Sequence, residues 1–226
     1  VRHFLYASSS SVYGMNSKIP FSVDDATDYP VSLYAATKKS NEILAYSYSH
    51  LYRIPMTGLR FFTVYGPFGR PDMAYYSFTN SIMNDQEIEV FNEGKMERDF
   101  TYIDDVVSAI ECILENAPEP NINENTNSSA PFKIYNIGNS QPISLIRFIT
   151  SIESACGKSA VIKYLPMQEG DVPKTFADVS LLEKDFGFRI STSIEDGIYK
   201  FVSFNIINIK ILSRVPNYRN LSMHRS

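Results

Sequence analysis

The sequence predicts an α/β protein built on a parallel sheet, and three observations carry that prediction. A short apolar strand opens the chain at His3-Phe4-Leu5-Tyr6-Ala7. A helix-length segment follows over residues 33–51, stopped by Pro55, and a run of β formers occupies 57–65. Strand, helix and strand in that order call for parallel pairing through a right-handed crossover. The 226 residues are 44% hydrophobic and 20% charged, the balance of a globular chain long enough for a sizeable core.

Each element follows from a local pattern. A serine-rich turn after the first strand ends at Gly14, and Pro20, Asp24, Asp25, Asp28 and Pro30 mark a loop. In the helix, Leu44, Tyr48, Leu51 and Tyr52 fall at i, i+4, i+7 and i+8, which predicts one apolar face. Gly66-Pro67 and Gly69-Arg70-Pro71 close the second strand in a loop. Residues 73–83 are expected to be helical and 89–91 a short strand. Asp104 is expected to cap a helix whose apolar face is Val106, Val107, Ile110, Ile113 and Leu114. Residues 116–129, rich in Asn, Pro and Ser, read as a surface loop. Residues 133–137 form another strand. Ser144 then caps a helix that turns Leu145, Phe148, Ile149, Ile152, Ala155 and Cys156 inward, and Gly157 ends it. Ser180 with Glu183, and Thr192 with Glu195, have the spacing of capping boxes. From about residue 205 the pattern decays into isoleucines and then a basic polar tail with no assigned role.

Composition excludes some classes of function. A net charge of −4 argues against a general nucleic-acid binder, although a local basic cluster for a phosphate ligand stays open. Cys112 and Cys156 each sit in an apolar helical pattern and are expected as buried core thiols. No run approaches the roughly 18 apolar residues of a membrane span, and no charged-then-apolar leader opens the chain. The expectation is a soluble protein of the reducing cytoplasm, with neither nucleic acid nor membrane as partner. His3, His50 and His224 have no metal-ligand spacing, so no metal is assigned.

The chemistry concentrates near the first helix. YAATK at 34–38 sets the Tyr34 phenol and the Lys38 ammonium four residues apart, on one helical face. A phenol ionises near ~10 and is a poor base at neutral pH, but an adjacent ammonium favours the phenolate. Such a pair can accept a proton from a hydroxyl whose carbon loses hydride. Alone the spacing is common on solvated helices. Joined to Ser8, Ser9, Ser10 and Ser11 at the end of the preceding strand, it reads as a proton-transfer site in which a serine relays or orients the proton.

YASSSSVYG at 6–14, YAATK at 34–38, RFFTVYGPFGRPDMA at 60–74 and RDFTYIDDV at 98–106 resemble the extended short-chain dehydrogenase/reductase family, and within it the UDP-glucuronate 4-epimerases most. The resemblance covers about residues 1–204 in the family order. It implies the carboxy-terminal part of a Rossmann-type parallel sheet plus a smaller mixed α/β substrate-binding domain. Residues 1–72 would be the remaining NAD-binding part with the catalytic pair. Residues 73–204 would be mainly the sugar-nucleotide domain, with elements near 100–137 returning to the first sheet, and 205–226 an atypical tail.

The resemblance also implies residue roles. Ser9 matches the catalytic serine or threonine, Tyr34 the base, and Lys38 the residue that lowers its pKa and holds the nicotinamide ribose. Ser8, Phe61 and Val64 join Tyr34 and Lys38 as expected NAD contacts. Ser10 and Ser11 line the sugar pocket, and Thr63 stands where galactose-type epimerases have asparagine. Leu33 stands where many relatives have proline. Arg98 matches the pyrophosphate ligand, Phe91 an aromatic on the uracil face, and Gln168 and Asp171 positions near the ribose and phosphates. Taken alone, Phe91 reads as core, Gly170-Asp171 as a plain turn, and Arg98 as an ion-pair partner of Asp99 or Glu97.

Two features discriminate the reaction. Family members that eliminate water carry Asp-Glu at the places of Ser10 and Ser11, and decarboxylating ones carry Glu at that of Ser11. Without a second acid or base, the site can oxidise one carbon and return the hydride, which is epimerisation. Arg70 lies just beyond the strand that carries Thr63, where ligands of such sheets bind. A buried sugar carboxylate needs a cation, best a bidentate arginine, so Arg70 is expected to read a uronate. The expected function is NAD-dependent conversion of UDP-glucuronate to UDP-galacturonate through a transient 4-keto sugar, for cell-surface polysaccharide. UDP-glucose 4-epimerisation, or another NAD-dependent epimerase or dehydratase activity, is the alternative within the class.

One family signature is missing. The glycines at 14, 58, 66, 69, 94, 138, 157, 170, 187 and 197 include no GxGxxG or GxxGxxG. The resemblance places that turn ahead of Val1, with on the order of 100 residues of the first βαβαβ half. The chain alone is therefore expected to retain no NAD and to be inactive. A non-catalytic remnant or a partner-dependent subunit is the alternative of a different class. Family members commonly form homodimers through the helix that bears Tyr34, and Tyr46, Tyr48 and Tyr52 suit either such a face or the core.

Overall fold

The computed structural model describes residues 1–120, 129–167 and 172–212, with side chains as far as residue 205. β1 (Phe4–Ser9), α1 (Leu33–Tyr52) and β2 (Met56–Phe61) form the expected strand–helix–strand unit. β1 and β2 pair in parallel, with Ser9 opposite Phe61. β6 (Phe132–Ile137) adds in parallel on the far side of β2, with Phe61 opposite Ile137. All three strands of the β1-β2-β6 sheet thus end at one level.

The single strand expected over 57–65 is two strands in two sheets. β2 stops at Phe61. Phe62 donates its N–H to the Ile137 carbonyl at 3.0 Å and buries its ring beside Tyr13 and Phe21. β3 (Thr63–Tyr65) then pairs in parallel with β5 (Glu97–Tyr102), and β7 (Pro142–Ser144) adds antiparallel to β5. β4 (Glu87–Phe91) and β8 (Val161–Leu165) make a separate parallel pair. A run of β formers shows none of this, because the switch of sheets rests on where one buried aromatic ring lodges.

The helices pack on faces that the sequence pattern only partly anticipates. Leu44, Tyr48, Leu51 and Tyr52 of α1 are all exposed. The helix instead buries Ala35, Ala45 and Ser49, small side chains that let it lie close to the strands, together with the carboxylate of Glu42. α2 (Ala74–Met83) buries Tyr75 and Ile82. α3 (Ile103–Glu115) buries Val106, Ala109 and Ile113 against Leu59, Tyr135 and Ile137, while Val107 and Leu114 face outward. α4 (Leu145–Cys156) buries Phe148, Ile149 and Ile152 as expected. Phe148 stacks on Phe100 with centroids 4.3 Å apart, tying α4 to β5. Ile198 and Phe201 of α6 (Ile194–Leu212) complete this core.

Helix ends confirm one cap and shift three. Ser144 caps α4, accepting from the Arg147 N–H at 3.2 Å, and Gly157 ends it with φ 66. Asp104 lies inside the first turn of α3, which starts after Tyr102 with no side-chain cap. α5 (Ser180–Phe186) begins at Ser180 itself, whose N–H donates to Asp178 at 2.9 Å. In α6 the box is Ser193 with Asp196: the Ser193 hydroxyl accepts from the Asp196 N–H at 3.1 Å and donates to its carboxylate at 2.8 Å. Neighbouring short polar residues are equivalent in a pattern, and the backbone selects among them. Cys112 and Cys156 are half-buried rather than buried. The helical backbone continues through Leu212, past the expected decay near residue 205. Most of the expected 116–129 loop, residues 121–128, lies outside the described residues. Among the described residues no helix is long and apolar enough to cross a membrane.

Candidate active site

The site forms where β1 and β2 end. Ser9, the last residue of β1, caps a 3-10 turn over Ser10–Tyr13. Its hydroxyl accepts from the Ser11 N–H at 3.2 Å and donates to the Ser11 hydroxyl at 3.1 Å. Gly14 ends the turn at φ 57, where a Cβ would stand 2.5 Å from the Tyr29 carbonyl oxygen, so only glycine fits. This turn opens a cavity of about 450 Å3 lined by Ser10, Ser11, Ser32, Thr63, Arg98 and Thr175, among others. Ser10 and Ser11 of the turn thus face Thr63 and Arg98 of the β3-β5 sheet across one cavity.

α1 brings the second part. Ser32 caps it, accepting from the Ala35 N–H at 3.1 Å, and so fixes where the first turn starts. Tyr34 is 54% exposed in that turn. The Lys38 ammonium donates to the Ala7 carbonyl at 3.1 Å and stands 5.6 Å from the centroid of the Tyr34 ring. Phenol, ammonium and serine turn therefore gather beside the end of β1. Arg70 pairs with Asp72 in the exposed loop after β3, its Nε 3.0 Å from Oδ1. The Asp72 hydrogen bond and charge raise the guanidinium pKa.

On the opposite wall, Arg98 of β5 donates to the carbonyls of Glu97 at 3.0 Å and Pro173 at 3.3 Å. Behind it Asp99 is 0% exposed. Its carboxylate accepts from the N–H groups of Asn139 at 2.7 Å, Ser140 at 3.0 Å and Ala177 at 2.9 Å. The Asp99 N–H donates to the Thr175 hydroxyl at 3.1 Å. Asp99 thus ties the strand that carries Arg98 to the backbone at Asn139, Ser140 and Ala177 through its carboxylate and to Thr175 through its N–H.

Not every expected residue joins the site. Ser8 is buried beneath the strand ends and its hydroxyl donates to Glu42 at 2.6 Å. Phe61 and Val64 pack into the apolar cluster with Leu59 and Ile137, for the same reason that β2 and β3 part there. Phe91 ends β4 opposite Leu165, half-buried and outside the cavity lining. Gln168 and Asp171 lie outside the described residues. Sequence reasoning passed over Ser32 and Thr175, although Ser32, just ahead of the helix, carries an ordinary cap signal. It also passed over Glu42 and Arg60, whose burial no local pattern announces.

A parallel sheet ending in a serine turn, faced by a tyrosine–lysine helix stripe, defines a protein of the short-chain dehydrogenase/reductase kind. A family model described as the NAD dependent epimerase/dehydratase family matches residues 1–138. The chain is 52% identical over 210 residues to the Staphylococcus aureus protein CapI, covering 90% of this chain and 63% of that protein. It is 49% identical over 210 residues to a probable UDP-glucuronate 4-epimerase of Rhizobium meliloti, covering 90% and 62%. Its fold matches the UDP-glucuronic acid 4-epimerase of Bacillus cereus, solved with UDP-glucuronic acid and NAD. The TM-score is 0.79 at 32% identity, over 91% of this chain and 62% of that one. The chain belongs to the NAD dependent epimerase/dehydratase family and spans less than two thirds of the length of the curated relatives it matches.

Proposed function

We propose that this chain is the catalytic and sugar-binding portion of an NAD-dependent epimerase that interconverts UDP-glucuronate and UDP-galacturonate, serving cell-surface polysaccharide synthesis in the cytoplasm. The observation that carries this reading is the Tyr34–Lys38 stripe beside the Ser9 turn and its cavity. The donor set fits NAD: an ammonium and a phenol on one helix face suit the two hydroxyls of a nicotinamide ribose. When bound, NAD supplies reversible acceptance of hydride from the sugar carbon. The remaining work falls to the chain itself. Tyr34 takes and returns the proton of the sugar hydroxyl, with the ammonium of Lys38 favouring its anionic form and Ser9 orienting that hydroxyl. Ser10, Ser11 and Thr63 hold the sugar through neutral groups, which leaves it free to present either face once oxidised. Arg98 meets the pyrophosphate and Arg70 the uronate carboxylate. In this reading residues 1–72 serve the cofactor, 73–204 mainly the sugar nucleotide, and the exposed face of α1 a homodimer.

The names of the relatives and the neutral side chains at Ser10 and Ser11 support an epimerase over a dehydratase or decarboxylase. The test is made on two proteins: the chain alone, and the chain preceded by the part of CapI that it does not match. Each is given NAD and UDP-glucuronate, and the configuration at the sugar carbon is followed by proton NMR. The chain alone should hold no NAD and leave the sugar unchanged. The fusion should form UDP-galacturonate, and Tyr34→Phe should slow it by on the order of 10²–10⁴-fold. A fusion that holds NAD but leaves UDP-glucuronate untouched ends this reading.

A further inference from the structure

A second constellation lies one residue beneath the strand ends. Ser8, Arg60 and Asn136 are directly opposite one another on β1, β2 and β6, a single row across the sheet. All three are at most 3% exposed. Glu42 of α1, also 3% exposed, comes down onto this row. Its carboxylate accepts from the Ser8 hydroxyl at 2.6 Å, from Arg60 Nε at 2.9 Å and from a second guanidinium nitrogen at 3.0 Å. The guanidinium also donates to the Tyr13 hydroxyl at 3.0 Å and the Val23 carbonyl at 3.2 Å. Tyr13 donates onward to Asn136 at 2.6 Å, and Asn136 donates to the carbonyls of Phe21 at 2.7 Å and Asp178 at 3.0 Å. Helix, three strands and the serine turn meet in one network.

Stability alone does not call for it. Taking two charges out of water costs several kcal/mol per ion, and a well-packed apolar pair of like volume is often as stable. What apolar packing lacks is a fixed register. Tyr34, Lys38 and Glu42 are i, i+4 and i+8 on α1, one stripe running from the exposed cleft into the interior. Lys38 ties to the carbonyl of Ala7 and Glu42 to the hydroxyl of Ser8, successive residues immediately before Ser9. A slide or rotation of α1 along the sheet breaks both ties together.

We propose that Glu42 and Arg60 are positioning residues that lock α1 to the row beneath the strand ends, and so set Tyr34 and Lys38 against the serine turn. The role in catalysis rests on the proposed epimerase chemistry, while the mechanical role does not. The decisive variant is Glu42→Met with Arg60→Met, which removes the ties but leaves a fillable apolar core. Three quantities are read: the urea midpoint, the acylation rate of Lys38 relative to exposed Lys95 by peptide mass spectrometry, and kcat with KM in the NAD-loaded fusion. The midpoint should fall, since the Ser8 hydroxyl and the Val23 carbonyl lose their Glu42 and Arg60 partners, and a single cooperative transition shows that the variant is folded. Lys38 should acylate several-fold faster in the 226-residue chain. In the fusion kcat should fall by about tenfold or more with KM for the sugar nucleotide little changed, as loss of alignment without loss of binding requires. Glu42→Asp with the native arginine should recover part of kcat. If the double variant does not fold, Ser8→Ala, which removes a single tie, is read in the same way. Faster acylation in a chain whose fusion turns over no sugar leaves the positioning standing and removes the epimerase reading. Unchanged acylation and unchanged kcat in the folded double variant, or in Ser8→Ala where that is the one used, overturn the proposal.

Discussion

Two buried tyrosine hydroxyls should respond with opposite sign to the same deletion of one oxygen. The Tyr6 hydroxyl on β1 is buried against Gly58 of β2 and has no hydrogen-bond partner among the described residues. Burial raises its pKa, as does the charge of Glu42, with Arg60 pulling the other way. An unpaired buried hydroxyl costs its desolvation, on the order of 1–3 kcal/mol, with nothing in return. Tyr6→Phe removes that cost while keeping the ring, so it should stabilise the chain by about 1 kcal/mol. The Tyr135 hydroxyl on β6 donates to the Asp185 carboxylate at 2.6 Å in a residue that is 3% exposed. A bond to a charged group is worth about 1.5–3 kcal/mol, so Tyr135→Phe should cost that much. Both are measured as shifts in the urea midpoint at unchanged slope, the condition under which a midpoint reports stability. In thermal melts the gain at Tyr6 corresponds to about 2–4 °C for a chain of this size. A loss of stability in Tyr6→Phe of about 1 kcal/mol refutes the reasoning, since the hydroxyl must then be satisfied in solution.

Two further outcomes follow from exposed charges. Arg70→Ala should lower kcat/KM of the fusion for UDP-glucuronate by on the order of 10–100-fold, the worth of a charge-assisted pair, and for UDP-glucose far less. Equal losses on the two sugars would show that Arg70 does not read the carboxylate. Burial alone would push the Asp185 carboxyl up, but the donors Lys133 and Tyr135 hold it below the usual range. Because the folded value lies below the unfolded one, the group stabilises the fold above pH ~4 and loses that contribution as pH falls further. The urea midpoint should therefore drop on acidification, and Asp185→Asn should flatten that drop; identical profiles for the two proteins would contradict it.

The amino-acid pattern revealed the order of β1, α1 and β2, the Ser144 cap, the Gly157 stop and the Tyr34–Lys38 stripe. Each of these is a local matter of spacing or backbone conformation. What stayed hidden is set between distant segments. A run of β formers over 57–65 does not say that Phe62 lodges beside Tyr13 and that the chain changes sheets there. The apolar spacing of α1 marks Leu44, Tyr48, Leu51 and Tyr52, yet the helix approaches the sheet through small residues and one carboxylate. Glu42, Arg60 and Asp99 read as surface charges by type, and only their partners make burial tolerable.

The Asp99 carboxylate has a consequence in time rather than in space. Its partners lie 40, 41 and 78 residues away along the chain. Closing such loops costs entropy that grows with their length and is repaid only when every segment has arrived. Strand pairs and helices that rest on shorter separations form without waiting for it. The wall bearing Arg98 and Thr175 is therefore among the last parts to assemble during folding. By the same accounting the row beneath the strand ends closes late as well, since Asn136 meets Phe21 and Tyr13 across 115 and 123 residues.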